Sequence, residues 1–114
     1  KLELSEQASG ELWEMRQSCR CALRLLCNAD YIASGYLAEE AALVEQEIDD
    51  KAALYRLNQM ERMGVGTCHV ETSILYSEIL TDFERIGDHV LNIARAWAGL
   101  EETDRLPVSE KEKL

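Results

Sequence analysis

The one proline in this sequence is Pro107. Everything before it lacks the residue that most strongly breaks a helix, at about 3 kcal/mol or more in a helix interior. Glycine is scarce as well, with 6 in 114 residues, and no stretch shows the two-residue alternation of a strand. What the chain has instead is a helical period. Leu4, Ala8, Leu12, Met15, Cys19, Ala22, Leu26, Ala29 and Ala33 form one apolar stripe. Leu37, Ala41, Val44, Ile48, Ala52 and Tyr55 form a second. Ile79, Phe83, Ile86, Val90, Ile93 and Trp97 form a third, with heptad-type spacing.

Two breaks separate the stripes, Ser34-Gly35 and Gly64-Val65-Gly66. The spacing predicts helices over 3–33, 36–63 and 67–99, each about 28 to 33 residues and so roughly 42 to 50 Å long at ~1.5 Å per residue. Thr67 is placed to cap the third helix, and Glu71 suits its positive end. Residues 101–114 read as a charged, frayed tail. Turns this short force neighbouring helices to run antiparallel. The expectation is an all-α fold, a single antiparallel up-down-up three-helix bundle over residues 1–100. Apolar residues make up 46% of the chain, enough for its core.

The formal net charge is −10, from 12 basic and 22 acidic side chains. That argues against a nucleic-acid backbone or an anionic lipid surface as partner and favours a cationic ligand or a basic protein patch. No apolar run reaches the roughly 18 residues of a membrane span, so direct insertion of this segment is not expected. The chain starts at Lys1 rather than Met, and the helical pattern starts almost at once, so a piece of a longer protein is expected. Cys19, Cys21, Cys27 and Cys68 show neither a Cys-x-x-Cys pair nor zinc spacing and read as reduced thiols of a cytosolic protein. A bridge from Cys68 to a helix 1 cysteine is the minor alternative.

The carboxylates are the informative polar groups. Glu84 and Asp88 are four apart and stack on one face of the third helix, in the run Asp82-Phe83-Glu84-Arg85-Ile86-Gly87-Asp88-His89. Glu45 and Asp49 are four apart on the second helix, each one step beyond core Val44 and Ile48. Both pairs flank the seam where the two helices meet. Such pairs repel unless they are solvated or a cation sits between them. Four carboxylates there suit Mg²⁺, Ca²⁺, Mn²⁺ or iron. A plain solvated acidic face is the alternative. A ferritin-like centre is disfavoured, because no Glu is followed by His three residues later. His89 reads as a boundary histidine, His69 as exposed, and Trp13 and Trp97 as core or boundary packing. Arg85 can pair with Asp82. Gly87, in mid-helix, suggests close approach of another helix or of a ligand. There is no nucleophile constellation and no Gly-rich phosphate loop, so an enzyme is the weaker class.

The run from Asp82 to His89, with the trailing Asn92-Ile93-Ala94, closely resembles the signature of PhoU-like domains. Glu45-Gln46-Glu47-Ile48-Asp49 looks like that family's other acidic segment. The resemblance covers most of residues 10 to 98 and implies a three-helix repeat, phosphate-linked regulation and surface metal clusters. Carried over, the implied metal ligands are Glu45, Asp49, Glu84 and Asp88, with Asp82 weaker. Gly64-Val65-Gly66-Thr67-Cys68 and Tyr76-Ser77-Glu78-Ile79-Leu80-Thr81-Asp82 look like the cytosolic C-terminal region of bacterial sodium/phosphate cotransporters. This resemblance implies a regulatory, non-enzymatic module on the cytoplasmic side of the bacterial inner membrane. A transporter membrane domain would lie in the same parent chain, and a homodimer is open. The alternatives are a phosphate-signalling adaptor acting on a separate transporter and sensor kinase, and a metal-dependent enzyme. The metal's identity and direct phosphate binding stay open.

Overall fold

In the computed structural model, which describes residues 3–28 and 35–105, the described residues form a bundle of three helices. They are α1 (Glu6–Cys27), α2 (Leu37–Gly64) and α3 (Val70–Arg105). The start of α1 and the end of α2 have clear local causes. Ser5 caps α1, its hydroxyl accepting from the Ala8 amide at 3.1 Å, and Glu6 favours the same end. Gly66, with φ +76°, turns the chain after α2 in a conformation that other residues rarely adopt.

Thr67 does not cap α3. Its amide and its hydroxyl both donate to the Arg62 carbonyl at 2.9 Å, so it closes the end of α2. α3 accordingly begins at Val70, with Glu71 in its first turn. It also runs past the expected end at 99, to Arg105. Nothing in 100–105 breaks a helix, and Pro107 lies beyond its end. The first helix was expected to reach 33 but ends at Cys27, with the Asn28 amide donating to the Leu25 carbonyl. Ala29 and Ala33 lie outside the described residues.

The topology is up-down-up. Glu11 near the start of α1 meets Arg62 near the end of α2 and Tyr76 near the start of α3. The α1 and α2 stripes fall where the spacing placed them. Ala8, Met15, Cys19, Ala22, Leu37, Ala41, Ile48 and Ala52 are buried, and Leu4, Leu12, Leu26, Val44 and Tyr55 pack partly buried against them. Fully burying a side chain such as Met15 or Ile48 contributes about 1.5–3 kcal/mol.

The α3 stripe is corrected at its far end. The inner face carries Tyr76, Leu80, Phe83, Ile86, Gly87, Val90 and Ala94, so Phe83, Ile86 and Val90 lie where the stripe placed them. Ile93 is 47% and Trp97 39% exposed. The expected stripe carried its heptad spacing on to Ile93 and Trp97. The buried face has Gly87 and Ala94 instead, and at Gly87 the chain approaches Ile48 too closely for a larger residue. Trp13 also turns outward, at 53% exposure. All four cysteines are free, and Cys19 is buried, its thiol donating to the Phe83 carbonyl at 3.4 Å.

Candidate metal centre

The α2–α3 seam is set by one contact. A Cβ added at Gly87 would lie 3.0 Å from Cδ1 of Ile48, itself fully buried. The absent side chain lets the two backbones come together, and it fixes their register. Residues one step toward solvent from this contact are Asp49 on α2 and Asp88 on α3, with Glu45 one turn before Asp49.

There the carboxylates of Glu45, Asp49 and Asp88 converge. One oxygen from each lies within 4.8 Å of the others. Glu45 and Asp49 are partly buried, and Asp88 is exposed. The Asp49 carboxyl, hydrogen-bonded to Glu45, pushes the Glu45 pKa up to about 7; burial and the nearby Asp88 add to it. The crowding favours a proton on Glu45, or a cation in its place. Three oxygens up to 4.8 Å from one another stand at most about 2.8 Å from a common centre, so a small inward turn brings all three to the roughly 2.3–2.6 Å of a hard cation with oxygen ligands. The donor set therefore fits a divalent ion held by carboxylates.

The other two expected ligands are elsewhere. Glu84 accepts from Nη2 of Arg56. The same Nη2 donates to Thr81 at 2.9 Å. Asp82 lies on the outward side of α3, 69% exposed, with Arg85 at 3.6 Å. Three positions separate Asp82 from that arginine, so they share a face turned away from the seam. His89 and His69 are both exposed, so the boundary placement of His89 is corrected: it follows Asp88 onto the solvent side. Arg56 escaped the sequence reading. Its signal was its distance of seven residues from Asp49, two turns along the same face.

A second polar cluster was missed altogether. Glu11 and Arg62 are each 7% exposed, Gln59 is 4% and Tyr76 is buried completely. Glu11 accepts from Arg62 at 2.7 Å, from the Tyr76 hydroxyl, and from Asn58 at 2.7 Å. Nε of Arg62 donates to Gln59 at 2.8 Å, and its guanidinium carbon stands 5.3 Å from the centre of the Tyr76 ring. Burial pushes the Glu11 carboxyl up, but the bonds from Arg62, Tyr76 and Asn58 outweigh it and hold Glu11 below the usual carboxylate value. The signal was in the spacing. Glu11 lies between Ala8 and Met15 on the α1 stripe, and Gln59 and Arg62 continue the α2 stripe past Ala52 and Tyr55. These groups tie the three helices together at one end of the bundle, about 20 Å from the acidic seam at ~1.5 Å per residue.

A family model described as PhoU domain matches residues 12–96. The chain belongs to the PhoU domain family. No curated protein and no solved structure matches it closely enough to be counted a relative. PhoU domains are regulatory rather than enzymatic, and the all-α bundle agrees with that fold. The matched span contains both the acidic seam and most of the buried Glu11–Arg62–Tyr76 cluster. Within the described residues of this PhoU domain, no helix is long and apolar enough to cross a membrane.

Proposed function

We propose that this PhoU domain is a metal-binding regulatory module of phosphate transport. The observation that carries the reading is the convergence of Glu45, Asp49 and Asp88 across the α2–α3 seam. A bound divalent cation supplies positive charge where three carboxylates otherwise repel. Asp49 and Glu45 hold it from α2 and Asp88 from α3, so the ion cross-links two helices whose register Gly87 already sets. An occupied seam presents a changed surface charge to a partner, and that is the signal such a module can send. The resemblance of residues 64–68 and 76–82 to sodium/phosphate cotransporters supports a role as the cytosolic regulatory part of such a transporter, rather than as a free adaptor.

Thermal unfolding with and without Mn²⁺ tests the site. A ligand that binds the native state raises stability by about 2.7 kcal/mol at a hundred times its Kd. The wild-type melting temperature rises with Mn²⁺, and the rise disappears in E45Q/D49N. Equal shifts in both proteins would refute the site. Phosphate uptake by the parent protein carrying E45Q/D49N/D88N tests the role. Unchanged uptake and unchanged response to phosphate supply would refute it.

A further inference from the structure

We propose that the outward face of α2 docks a basic amphipathic helix of a partner protein, whose apolar side chains lie on Leu54, Leu57 and Met60 and whose Lys or Arg side chains meet Asp50 and Glu61. This surface is separate from the Glu45–Asp49–Asp88 seam, and the inference stands whether or not that seam holds a cation.

The pattern of α2 carries the argument. Ile48 and Ala52 face inward and are buried, yet Leu43, Leu54, Leu57 and Met60 on the outer side are 53–67% exposed. Leu54, Leu57 and Met60 follow at intervals of three, so their side chains are neighbours on one surface stripe. Leu43 stands about three turns before Leu54 on the same face. A helix that is apolar on two sides is normally covered on both, and an exposed apolar stripe among polar groups marks an interaction site.

The charged groups on this face have one sign. Glu39, Asp50 and Glu61, all exposed, recur every eleven residues, a spacing that keeps them on one side of a helix. The basic residues of α2 are turned to the bundle. Lys51 donates to the Ser18 hydroxyl at 2.8 Å and pairs with Glu47 at 3.3 Å. Arg56 is bound to Thr81 and Glu84, and Arg62 is buried with Glu11. A partner therefore meets chiefly leucine, methionine and carboxylates.

Charge also decides against a second copy of this chain. An antiparallel pair that sets Leu43 against Leu57 of the other copy also sets Asp50 against Asp50 and Glu39 against Glu61. A parallel pair sets each acid against itself. Opposed like charges disfavour either pairing, and the net charge of −10 adds to the repulsion. A helix with Lys or Arg beside an apolar stripe satisfies both features of the face, and recognition of this kind reads anchors at three- and four-residue intervals.

The test is binding of a fluorescent synthetic peptide with a leucine stripe flanked by lysines, read by anisotropy. About 18 residues span Leu43 to Met60 at ~1.5 Å per residue. A control peptide has the same composition in scrambled order. The patterned peptide binds the wild type at least about tenfold more tightly than the scrambled one. L54S/L57S and D50K/E61K each weaken it by about tenfold or more. All four positions are exposed, so the circular dichroism melts of both variants stay close to wild type. Should L54S/L57S fail to fold, D50K/E61K decides alone. Equal binding of the two peptides overturns the proposal, because bulk charge then explains the affinity. Wild-type affinity in both variants, or no binding of the patterned peptide, overturns it as well. So does a wild-type dimer in sedimentation that L54S/L57S dissociates, since a second copy then covers the face.

Discussion

Replacing Glu11 by Ala tests whether the buried cluster holds the bundle together. Glu11 and Arg62 are each 7% exposed, so the substitution strands a guanidinium in the interior. One of that guanidinium's nitrogens, Nη1, already has no partner. Removing one member of a buried ion pair costs about 3–5 kcal/mol. The Tyr76 hydroxyl loses its acceptor as well, at about 1–3 kcal/mol for an unsatisfied buried group. Domains are stable by only about 5–15 kcal/mol, so E11A should remove a large part of the total. Urea unfolding followed by helical circular dichroism measures it. E11L/R62M should recover the part due to the stranded guanidinium, since apolar replacements of a buried pair are often neutral or stabilising, while the Tyr76 hydroxyl stays without its acceptor. A cost below about 1 kcal/mol for E11A, or a double variant as unstable as the sum of the singles, would refute the reasoning. The pH dependence has a definite sign. The folded Glu11 pKa lies below the ordinary 4.5, so its contribution is present above that value and is lost as pH falls below it.

The Glu45 pKa is displaced the other way, to about 7, so the metal-free protein should lose this group's stabilisation as pH rises from 4.5 through 7. Mn²⁺ must displace the same proton, so titrations should show affinity weakening as pH drops below about 7, and E45Q should flatten that dependence. G87L should cost about 1–3 kcal/mol by overpacking against Ile48 and should abolish the Mn²⁺-dependent rise in melting temperature; a retained rise would show that the close contact does not position Asp88. Burial pushes the Cys19 thiol up to about 11, so mass spectrometry after limited alkylation should find Cys21 and Cys27 labelled well before Cys19.

Helix order and the break after α2 were legible because they depend on local chemistry, periodic apolar residues and glycine, whereas the ends were not: α1 stops at Cys27 and α3 starts only at Val70. The seam was half legible. Spacing alone puts Glu45, Asp49 and Asp88 beside core positions, and there the structure brings them together. It could not show that Glu84 turns to Arg56, because that choice depends on which residues of the opposite helix stand level with it. The far end of the α3 face was misjudged for a related reason. Heptad spacing carried the stripe on to Ile93 and Trp97, which are exposed, whereas Gly87 and Ala94 lie on the buried face. The Glu11–Arg62–Tyr76 cluster went unseen because charged residues on an apolar stripe look like interruptions until their partners on other helices are known.

The tight spot between Gly87 and Ile48 also acts mechanically, as a fulcrum. If α2 and α3 rock against each other by about 5°, groups within about 5 Å of that point move only about 0.4 Å. Arg62 lies fourteen residues along α2, about 21 Å away at ~1.5 Å per residue, and would move about 1.8 Å. Carboxylates beside the pivot keep their spacing while the bundle ends flex, and the buried arginine network stands at the end of the lever, where restraint is most effective.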